Sequence, residues 1–247
     1  MKKDHLIAGV YNTCEEDIKA VNSKRELAEA DFIMRRRINN KLMDAGVTII
    51  DPNCTYIGAD VIIGRDTIIY PGTIIEGDTV IGEKTTIGTN CKIVSSQIGD
   101  RVDIQSSTVL ESEIMNETKV GPYAYIRPNC TIGERVKIGD FVEVKNSTIG
   151  NDTKASHLTY IGDAKVGSGV NLGCGVVFVN YDGKKKHQTI VEDDCFIGCN
   201  VNLIAPANIK KGSYIAAGST ITEPVEEDTL AIARCKQINK VGYIKNK

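Results

Sequence analysis

A six-residue spacing of aliphatic side chains runs through most of this 247-residue chain and constrains its fold more than any other feature. The longest unbroken run is Ile57, Ile63, Ile69, Ile75, Ile81, Ile87 and Ile93. Two further runs are Val120, Ile126, Ile132, Ile138 and Val144, and then Ile197, Leu203, Ile209, Ile215 and Ile221. Six is a multiple of the two-residue strand period and does not fit the 3.6-residue helical period. The spacing therefore predicts short strands that all point their aliphatic residue to the same side.

Glycine often follows the repeated aliphatic residue, as at Ile63-Gly64, Ile81-Gly82 and Ile138-Gly139. Gly, Asn and Asp tolerate the positive φ that a tight turn requires. Three short strands joined by such turns close a coil of about 18 residues, and coils stack at the ~4.8 Å spacing of paired strands. We therefore predict an all-β fold, a parallel β-helix. Its interior would be filled by stacked aliphatic residues of uniform size, in keeping with 5% aromatic residues and no Trp.

Interruptions of the spacing predict where the coil departs from regularity. Five-residue steps at Ile93–Ile98, Val109–Ile114 and Val144–Ile149 indicate corners or bulges. Asn180–Gln188 has no aliphatic residue in phase and contains the three consecutive lysines of Lys184–Lys186. We interpret it as a loop extruded from the coil, which is either a solvated turn or an anion-binding arm.

The segment ahead of the repeat follows a helical pattern instead. Ser23 and Glu26 fit a capping box, and Gly46 is placed to end a helix. Leu27, Met34, Ile38 and Leu42 would lie on one helical face between them. We predict an α-helix at about 23–45, a β-helix domain over 47–228, and a C-terminal tail over 229–247.

Composition narrows the function classes. The net charge of −2 gives no electrostatic reason to expect nucleic acid as a partner. No stretch approaches the ~20 apolar residues of a membrane span, and no secretory signal follows Met1. We expect a cytoplasmic protein that binds neither membrane nor nucleic acid. Its eight cysteines are then expected to be reduced and mostly buried. Cys195 and Cys199 are four residues apart, but neither a second cysteine pair nor a nearby histidine completes a zinc site, so no metal is expected.

His157 is the histidine that lies inside the repeat, at a corner or surface position because Ala155 and Ile161 hold the interior phase. A lone histidine is usually structural, but this one has cations on neighbouring coils, Arg127 and Lys145. Arginine and lysine suit a phosphate monoester, and a neutral imidazole suits removal of a proton from an attacking amine. Together they indicate acyl transfer to an amino sugar phosphate, to which Lys186 could reach from the loop.

Spacing also indicates how these residues could meet. Arg127 and Lys145 are separated by the length of one full coil, so they would lie one above the other. His157 lies two repeats beyond Lys145, on another face of the coil. A neighbouring subunit could bring the second face to the same groove, so we expect a homotrimer with sites at subunit interfaces.

Four long motifs identify a family. They are Gly-Pro-Tyr-Ala-Tyr-Ile-Arg-Pro at 121–128, Gly-Asp-Phe-Val-Glu-Val-Lys-Asn at 139–146, Lys-Ala-Ser-His-Leu-Thr-Tyr-Ile-Gly-Asp at 154–163, and Val-Asn-Tyr-Asp-Gly-Lys-Lys-Lys at 179–186. They resemble the acetyltransferase half of bifunctional UDP-N-acetylglucosamine pyrophosphorylase/glucosamine-1-phosphate N-acetyltransferases. The resemblance implies a left-handed β-helix of hexapeptide repeats. It also implies that residues 1–46 are a remnant of the family's interdomain region, and that the nucleotidyltransferase half, with its activity, is missing.

The resemblance implies acetyl-CoA-dependent N-acetylation of glucosamine 1-phosphate, a step in UDP-N-acetylglucosamine biosynthesis. It makes His157 the catalytic base. Residues implied to hold the sugar phosphate or lie near its amine are Arg127, Glu143, Lys145, Tyr160, Asn171 and Lys186. Residues implied to line the acetyl-CoA site, to which the C-terminal tail contributes, are Cys174, Asn180, Tyr181, Cys199, Ala217 and Arg234.

Two departures and two alternatives accompany this hypothesis. Cys174 and Cys199 stand where the family commonly has Ala and Ser; both are small, so acetyl-CoA binding should survive, and a nucleophilic cysteine is the rival interpretation. An acetyltransferase with another acceptor is the first alternative function, although a neutral acceptor does not need the cations Arg127, Lys145 and Lys186. A non-catalytic regulatory β-helix is the second, and the complete motif around His157 argues against it.

Overall fold

The structure is a computed structural model that describes residues 14–241 and 243–244. Residues 1–13 of the expected interdomain remnant, and Gly242 and 245–247 of the expected tail, lie outside the described residues. Among the described residues, one α-helix, α1 (Lys24–Asp44), precedes the solenoid, and short 3₁₀ segments lie at Glu15–Ile18 and Pro52–Cys54.

Thirty short strands follow in the described part of the chain. In chain order they are β1 (Thr48–Ile49), β2 (Tyr56–Ile57), β3 (Ile62–Ile63), β4 (Ile68–Ile69), β5 (Ile74–Glu76), β6 (Val80–Ile81), β7 (Thr86–Ile87), β8 (Lys92–Val94), β9 (Gln97–Ile98), β10 (Asp103–Ile104), β11 (Thr108–Leu110), β12 (Glu113–Ile114), β13 (Lys119–Val120), β14 (Tyr125–Ile126), β15 (Thr131–Ile132), β16 (Lys137–Asp140), β17 (Glu143–Lys145), β18 (Thr148–Ile149), β19 (Lys154–His157), β20 (Tyr160–Gly162), β21 (Ala164–Val166), β22 (Asn171–Leu172), β23 (Val177–Val179), β24 (Thr189–Val191), β25 (Phe196–Ile197), β26 (Asn202–Ile204), β27 (Ala207–Ile209), β28 (Tyr214–Ile215), β29 (Thr220–Ile221) and β30 (Leu230–Ala231).

These strands form three parallel sheets, each built from every third strand. The 11-stranded sheet runs from β1 through β4 and β7 to β28 and β30, the 10-stranded sheet from β2 through β5 to β29, and the 9-stranded sheet from β3 through β6 to β27. A chain that visits three sheets in turn winds around a three-sided interior. The predicted parallel β-helix is therefore confirmed, with the predicted helix ahead of it.

The interior follows the six-residue spacing. The repeated aliphatic residues are buried, with Ile69, Ile87, Ile126 and Ile138 each 0% exposed. Two positions before many of them, as at Thr67 and Thr85, small polar residues are also buried, and their hydroxyls bond from coil to coil. The Thr118 hydroxyl donates to the Gly133 carbonyl (2.7 Å) and accepts from the Val136 amide (3.0 Å). Buried hydroxyls thus provide hydrogen-bond partners for backbone groups that the short strands do not pair.

The interruptions of the spacing lie where they were predicted. Ser95, Glu111 and Asn146 turn the five-residue steps with φ of 46°, 43° and 46°. Asn180–Gln188 lies between β23 and β24 and lengthens its coil, since Val166 pairs with Val191 whereas the coil before pairs Ile149 with Val166. The tail begins as a further strand, because β30 pairs with β28.

The N-terminal helix confirms the cap and corrects the predicted face. The Ser23 hydroxyl accepts from the Glu26 amide (3.2 Å), the Asn22 amide donates to the Glu26 carboxylate (2.7 Å), and Gly46 turns out of the helix with φ of 96°. Of the predicted face, Leu42 is buried, whereas Leu27 and Met34 are each 50% exposed. Only the last turns of the helix meet the first coils, so its N-terminal half extends beyond the core.

The expectation of mostly buried thiols is wrong. Cys91, Cys130 and Cys195 are buried, since they occupy the inward position two residues before an aliphatic residue, and burial raises the pKa of each thiol. Cys174 is half-buried and Cys199 exposed, because they occupy the outward turn two residues after one. For these five cysteines, position within the repeat therefore decides which thiols are accessible.

Interior stacking predicts where a truncation destabilises the solenoid. Ile132→Ala, at 0% exposure, should lower the free energy of unfolding by about 2–5 kcal/mol, because the layers above and below cannot collapse into the cavity. Ile62→Ala, at 62% exposure, is the matched control and should change it by less than about 0.5 kcal/mol. Urea denaturation of both variants measures the difference, and equal effects would contradict the assigned interior.

Candidate active site

His157 ends β19 on the 11-stranded sheet, directly beside Asp140 at the end of β16. Its Nδ1 lies 2.5 Å from the Asp140 Oδ1, and 57% of its side chain is exposed. A carboxylate only accepts hydrogen bonds at neutral pH, so we assign the proton to Nδ1 and the free lone pair to Nε2. Hydrogen bonding to His157 lowers the pKa of Asp140 and keeps it ionised. The exposed Nε2 is therefore oriented to accept a proton.

Sequence reasoning missed Asp140, although its spacing could have revealed it. Asp140 lies one coil before His157, and that coil is shortened by the step at Val144–Ile149. Carboxylates that orient a histidine are common in catalytic and metal sites. A search for acidic residues one coil away from His157 would have found it.

The predicted cations lie on the 10-stranded sheet, on successive coils. Arg127 follows β14 and its guanidinium contacts the Glu143 carboxylate at 2.9 Å, so Glu143 orients Arg127 in this structure. That contact is the main reason that the pKa of Arg127 is raised. Tyr125 lies beneath the same guanidinium, with 6.0 Å between its ring centroid and Cζ. One coil further on, Lys145 ends β17.

A second residue that sequence reasoning missed, Asp163, holds Lys145. The Lys145 Nζ lies 3.0 and 2.9 Å from the two carboxylate oxygens, and the two side chains are only 15% and 12% exposed. The side-chain amides of Asn146 and Asn180 donate to the same carboxylate through Nδ2, at 2.7 and 2.6 Å. The Asn180 amide also lies 3.4 Å from the Tyr160 hydroxyl. Three predicted site residues, Lys145, Tyr160 and Asn180, are therefore brought together around Asp163.

The loop Asn180–Gln188 folds back on itself, because Tyr181 and Lys186 form an antiparallel bridge. Its turn is held by Asp182, whose carboxylate accepts from the amides of Lys185 (2.6 Å) and Lys184 (2.7 Å) and contacts the His187 ring (2.7 Å). The Lys185 amide, the His187 ring and the Lys184 amide together lower the pKa of Asp182 to about 2. The loop brings Lys186 to Lys145, and the contact between these side chains, together with the charge of Lys145, lowers the pKa of Lys186.

The remaining predicted residues mark a line along one corner. Cys174, Cys199 and Ala217 each lie two residues beyond mutually paired positions of β22, β25 and β28. The Asn200 amide donates to the Cys174 carbonyl (2.8 Å) and the Gly218 amide to the Cys199 carbonyl (2.8 Å), which ties the three corners together. Arg234 reaches the same corner beside Gly218. Asn171, on β22, lies one strand beyond Lys154 and on the sheet of His157.

The structure thus places the predicted residues in two groups. His157 and Asn171 lie on the 11-stranded sheet, and Arg127, Glu143, Lys145 and Tyr160 lie on or beside strands of the 10-stranded sheet. The spacing had predicted that His157 would lie on a different face from Arg127 and Lys145. Within residues 14–241 and 243–244, no hydrogen bond or ion pair connects His157 with this second group. In the same described part, no three His, Cys, Asp or Glu side chains are grouped to hold a metal ion. There, too, no helical segment combines the length and apolar character that a bilayer crossing needs.

The fold and its repeat define the class of this chain as a hexapeptide-repeat parallel β-helix. Residues 60–95 and 111–146 match the family described as bacterial transferase hexapeptide (six repeats). Among solved structures, an Arabidopsis UDP-N-acetylglucosamine acyltransferase is 13% identical over 76% of this chain and 70% of that one, with a TM-score of 0.46.

Curated relatives are far more similar in sequence. The bifunctional protein GlmU of Clostridium perfringens (strain SM101 / Type A) is 59% identical over 100% of this chain, which covers 54% of that protein. GlmU of Acetivibrio thermocellus is 59% identical over 99% of the chain and 53% of that protein. The chain therefore spans about half the length of the curated relatives it matches. The family resemblance drawn from the motifs is confirmed: the chain is homologous over its whole length to part of the bifunctional GlmU proteins.

The loop contacts generate a prediction that depends on charge. Asp182→Asn should speed tryptic cleavage after Lys184–Lys186 several-fold, because the neutral amide accepts more weakly from the two backbone amides. The pKa of Asp182 is lowered from 3.8 to about 2. The stabilisation of the loop by the Asp182 carboxylate is therefore fully present above pH 3.8 and is lost as the pH falls through about 2.

Limited proteolysis at neutral pH measures the effect, with Asp66→Asn as the control. Asp66 is also exposed and turns a corner at φ of 62°, but it lies far along the chain from the loop. Equal cleavage rates for the wild-type chain and Asp182→Asn would contradict the role of Asp182.

Proposed function

We propose that this chain transfers the acetyl group of acetyl-CoA to the 2-amino group of glucosamine 1-phosphate. One observation carries the proposal: an imidazole oriented by Asp140 lies on a scaffold homologous over its whole length to GlmU, with paired cations on the adjoining sheet. The product, N-acetylglucosamine 1-phosphate, is what a uridylyltransferase would require to form UDP-N-acetylglucosamine.

In the proposed reaction, His157 acts as the general base. Its Nε2 accepts a proton from the amine as the amine nitrogen attacks the thioester carbonyl carbon of acetyl-CoA. The tetrahedral intermediate collapses with cleavage of the carbon–sulfur bond, and the coenzyme A sulfur leaves with the proton returned by the imidazolium. Asp140 stabilises the imidazolium that forms and fixes the tautomer. No acyl-enzyme is formed, so Cys174 and Cys199 have no nucleophilic role.

Substrate binding is divided between the two sheets. Arg127, Lys145 and Lys186 would neutralise the phosphate, since two or more cations suit a dianionic monoester better than one. Tyr160 and Asn171 would bind sugar hydroxyls, and Glu143 would lie near the amine while orienting Arg127. The acetyl-CoA site would follow the corner line of Cys174, Cys199 and Ala217, with Asn180, Tyr181 and Arg234 beside it.

The proposed domain organisation follows from these roles. We assign residues 47–228 to the catalytic β-helix and residues 229–247 to a tail that completes the acetyl-CoA site through Arg234. Residues 1–46, which include α1, correspond to the region that precedes the acetyltransferase in the relatives.

We also propose that three copies of the chain assemble so that the two groups face each other across a subunit interface. The separation of His157 from the cations within one chain supports this. So does an exposed apolar corner next to His157, formed by Tyr123, Phe141 and Leu158, which are 62%, 57% and 56% exposed. All three adopt positive φ (58°, 55° and 47°). Bulky residues rarely adopt this left-handed conformation, so their presence at these turns opposes their intrinsic backbone preference.

Release of coenzyme A thiol tests the proposed reaction. The chain should release thiol from acetyl-CoA when glucosamine 1-phosphate is added, and His157→Ala should lower kcat by about 10²–10⁴-fold because the base is lost. Gln97→Ala, on the 9-stranded sheet, is the control and should keep full activity. Thiol release with other acceptors alone would favour a different acetyltransferase, and none with any acceptor would favour a non-catalytic β-helix.

Sedimentation tests the assembly. The wild-type chain should sediment as three copies, and Phe141→Asp should dissociate them and abolish acetyl transfer, since a charge cannot be buried at the apolar corner. Ile62→Asp places the same charge on an exposed site of the 9-stranded sheet and should leave both properties unchanged. An active monomer would contradict the proposal.

A further inference from the structure

Asp163 carries a largely buried carboxylate that has no role in the proposed reaction. It lies at a corner after β20, with φ of 50°, and 12% of its side chain is exposed. Four donated contacts converge on its two oxygens, two from the Lys145 ammonium and one each from the amides of Asn146 and Asn180. Asn146 ends the coil that carries Lys145, and Asn180 begins the loop that carries Lys186. The carboxylate therefore joins two segments that each bring a cation to the site.

Those two cations oppose each other electrostatically. Lys145 and Lys186 are close enough for each to affect the protonation of the other, and Arg127 adds a third positive charge near Lys186. Like charges held together disfavour the charged form of one of them. A phosphate site that depends on both ammonium groups therefore needs a nearby negative charge whenever no phosphate is bound.

We propose that Asp163 is a positioning residue that keeps the Lys145–Lys186 pair charged and docks the Asn180–Gln188 loop, so that the site can receive a phosphate dianion. The inference rests on the proposed function for the identity of the phosphate monoester. It does not rest on that function for the presence of an anion site, which is defined by the neighbouring cations Lys145 and Lys186 and by Asp163, the carboxylate that contacts Lys145.

The directions of the lysine pKa values agree with this role. Burial opposes the charged form of Lys145, but contacts with Lys186 and Asp163 outweigh it and the pKa of Lys145 is raised. The pKa of Lys186 is lowered, chiefly by its contact with Lys145, although Asp163 acts in the opposite direction. Tyr160 also faces Lys145 and favours its charged form. Because Asp163 contacts Lys145 directly at 2.9 and 3.0 Å and acts on Lys186 only through its charge, Lys186 is the member of the pair that we expect to lose its proton first.

Loop docking is the second part of the role. The Asn180 side chain is buried at the base of the loop, and its amide bonds to Asp163 at 2.6 Å. The Asp163 backbone holds the other end, since the Thr189 amide donates to its carbonyl at 3.3 Å. One residue thus contacts both ends of the loop that delivers Lys186.

Binding of inorganic phosphate to the full chain, measured by calorimetry from about pH 6 to about pH 10, tests the proposal across the range where perturbed lysines titrate. In Asp163→Asn the pH above which affinity falls should move down by about one unit, because removing an opposite charge lowers the lysine pKa values. At the lowest pH both lysines stay charged, and the variant should bind phosphate at least as tightly as the wild-type chain. Asp163→Glu restores the charge and should return the midpoint toward the wild-type value.

Several outcomes would overturn the inference. A wild-type chain that does not bind phosphate would do so, and so would an Asp163→Asn variant that binds more weakly by the same factor at every pH, since that is a merely structural effect. Asp152→Asn is the matched control: Asp152 also turns a corner at positive φ and pairs with a cation, Arg135, but away from the loop, and its removal should leave the midpoint unchanged.

An NMR titration of lysine side chains in the wild-type chain needs no variant. Lys186 should lose its proton at lower pH than Lys145, and the reverse order would overturn the inference. Phosphate binding with the expected pH dependence but without acetyl transfer would refute the proposed function and leave the role of Asp163 standing.

Discussion

Aliphatic residues stacked on aliphatic residues, one coil above the next, are the interaction on which the rest of this structure depends. Each coil buries its repeated Ile, Leu or Val against the same position of its neighbours, and the parallel strand bonds hold the layers in register. Register is strongly specified wherever one strand face is buried, because a one-residue slip would turn the aliphatic residue outward. Core packing therefore also determines which functional side chains are neighbours, since residues that are one coil apart in sequence become adjacent.

The candidate site uses this adjacency twice. Asp140 and His157 are neighbours because β16 and β19 pair, and Arg127 and Lys145 lie on successive coils because β14 and β17 pair. A rigid ladder can hold an imidazole and its carboxylate at hydrogen-bonding distance without a large loop. The exception is Lys186, which reaches the site from an extruded loop, and that loop is tied down by Asp163 and Asp182.

The fold was predictable because its signal is repeated. The six-residue aliphatic spacing recurs in coil after coil. The run from Ile57 to Ile93 therefore predicted the sheets, and the shortened step at Ile93–Ile98 predicted a corner. Single events were harder. The helix pattern predicted α1 but placed Leu27 and Met34 on a buried face, since amphipathicity does not show how far along the helix the solenoid extends. The burial of cysteines followed their place within the repeat, which a count of cysteines ignores.

By itself, the sequence determined the period, and with it the parallel coil, the interruptions and the two sheets on which His157 and the cations lie. Its motifs also named the family. Only the tertiary structure decided which polar groups touch. That His157 is oriented by Asp140, and that Lys145, Asn146 and Asn180 share Asp163, depends on whether a coil contains a shortened step and on how side chains turn at a corner. Those contacts arise between coils, where neighbours are set by packing rather than by order along the chain.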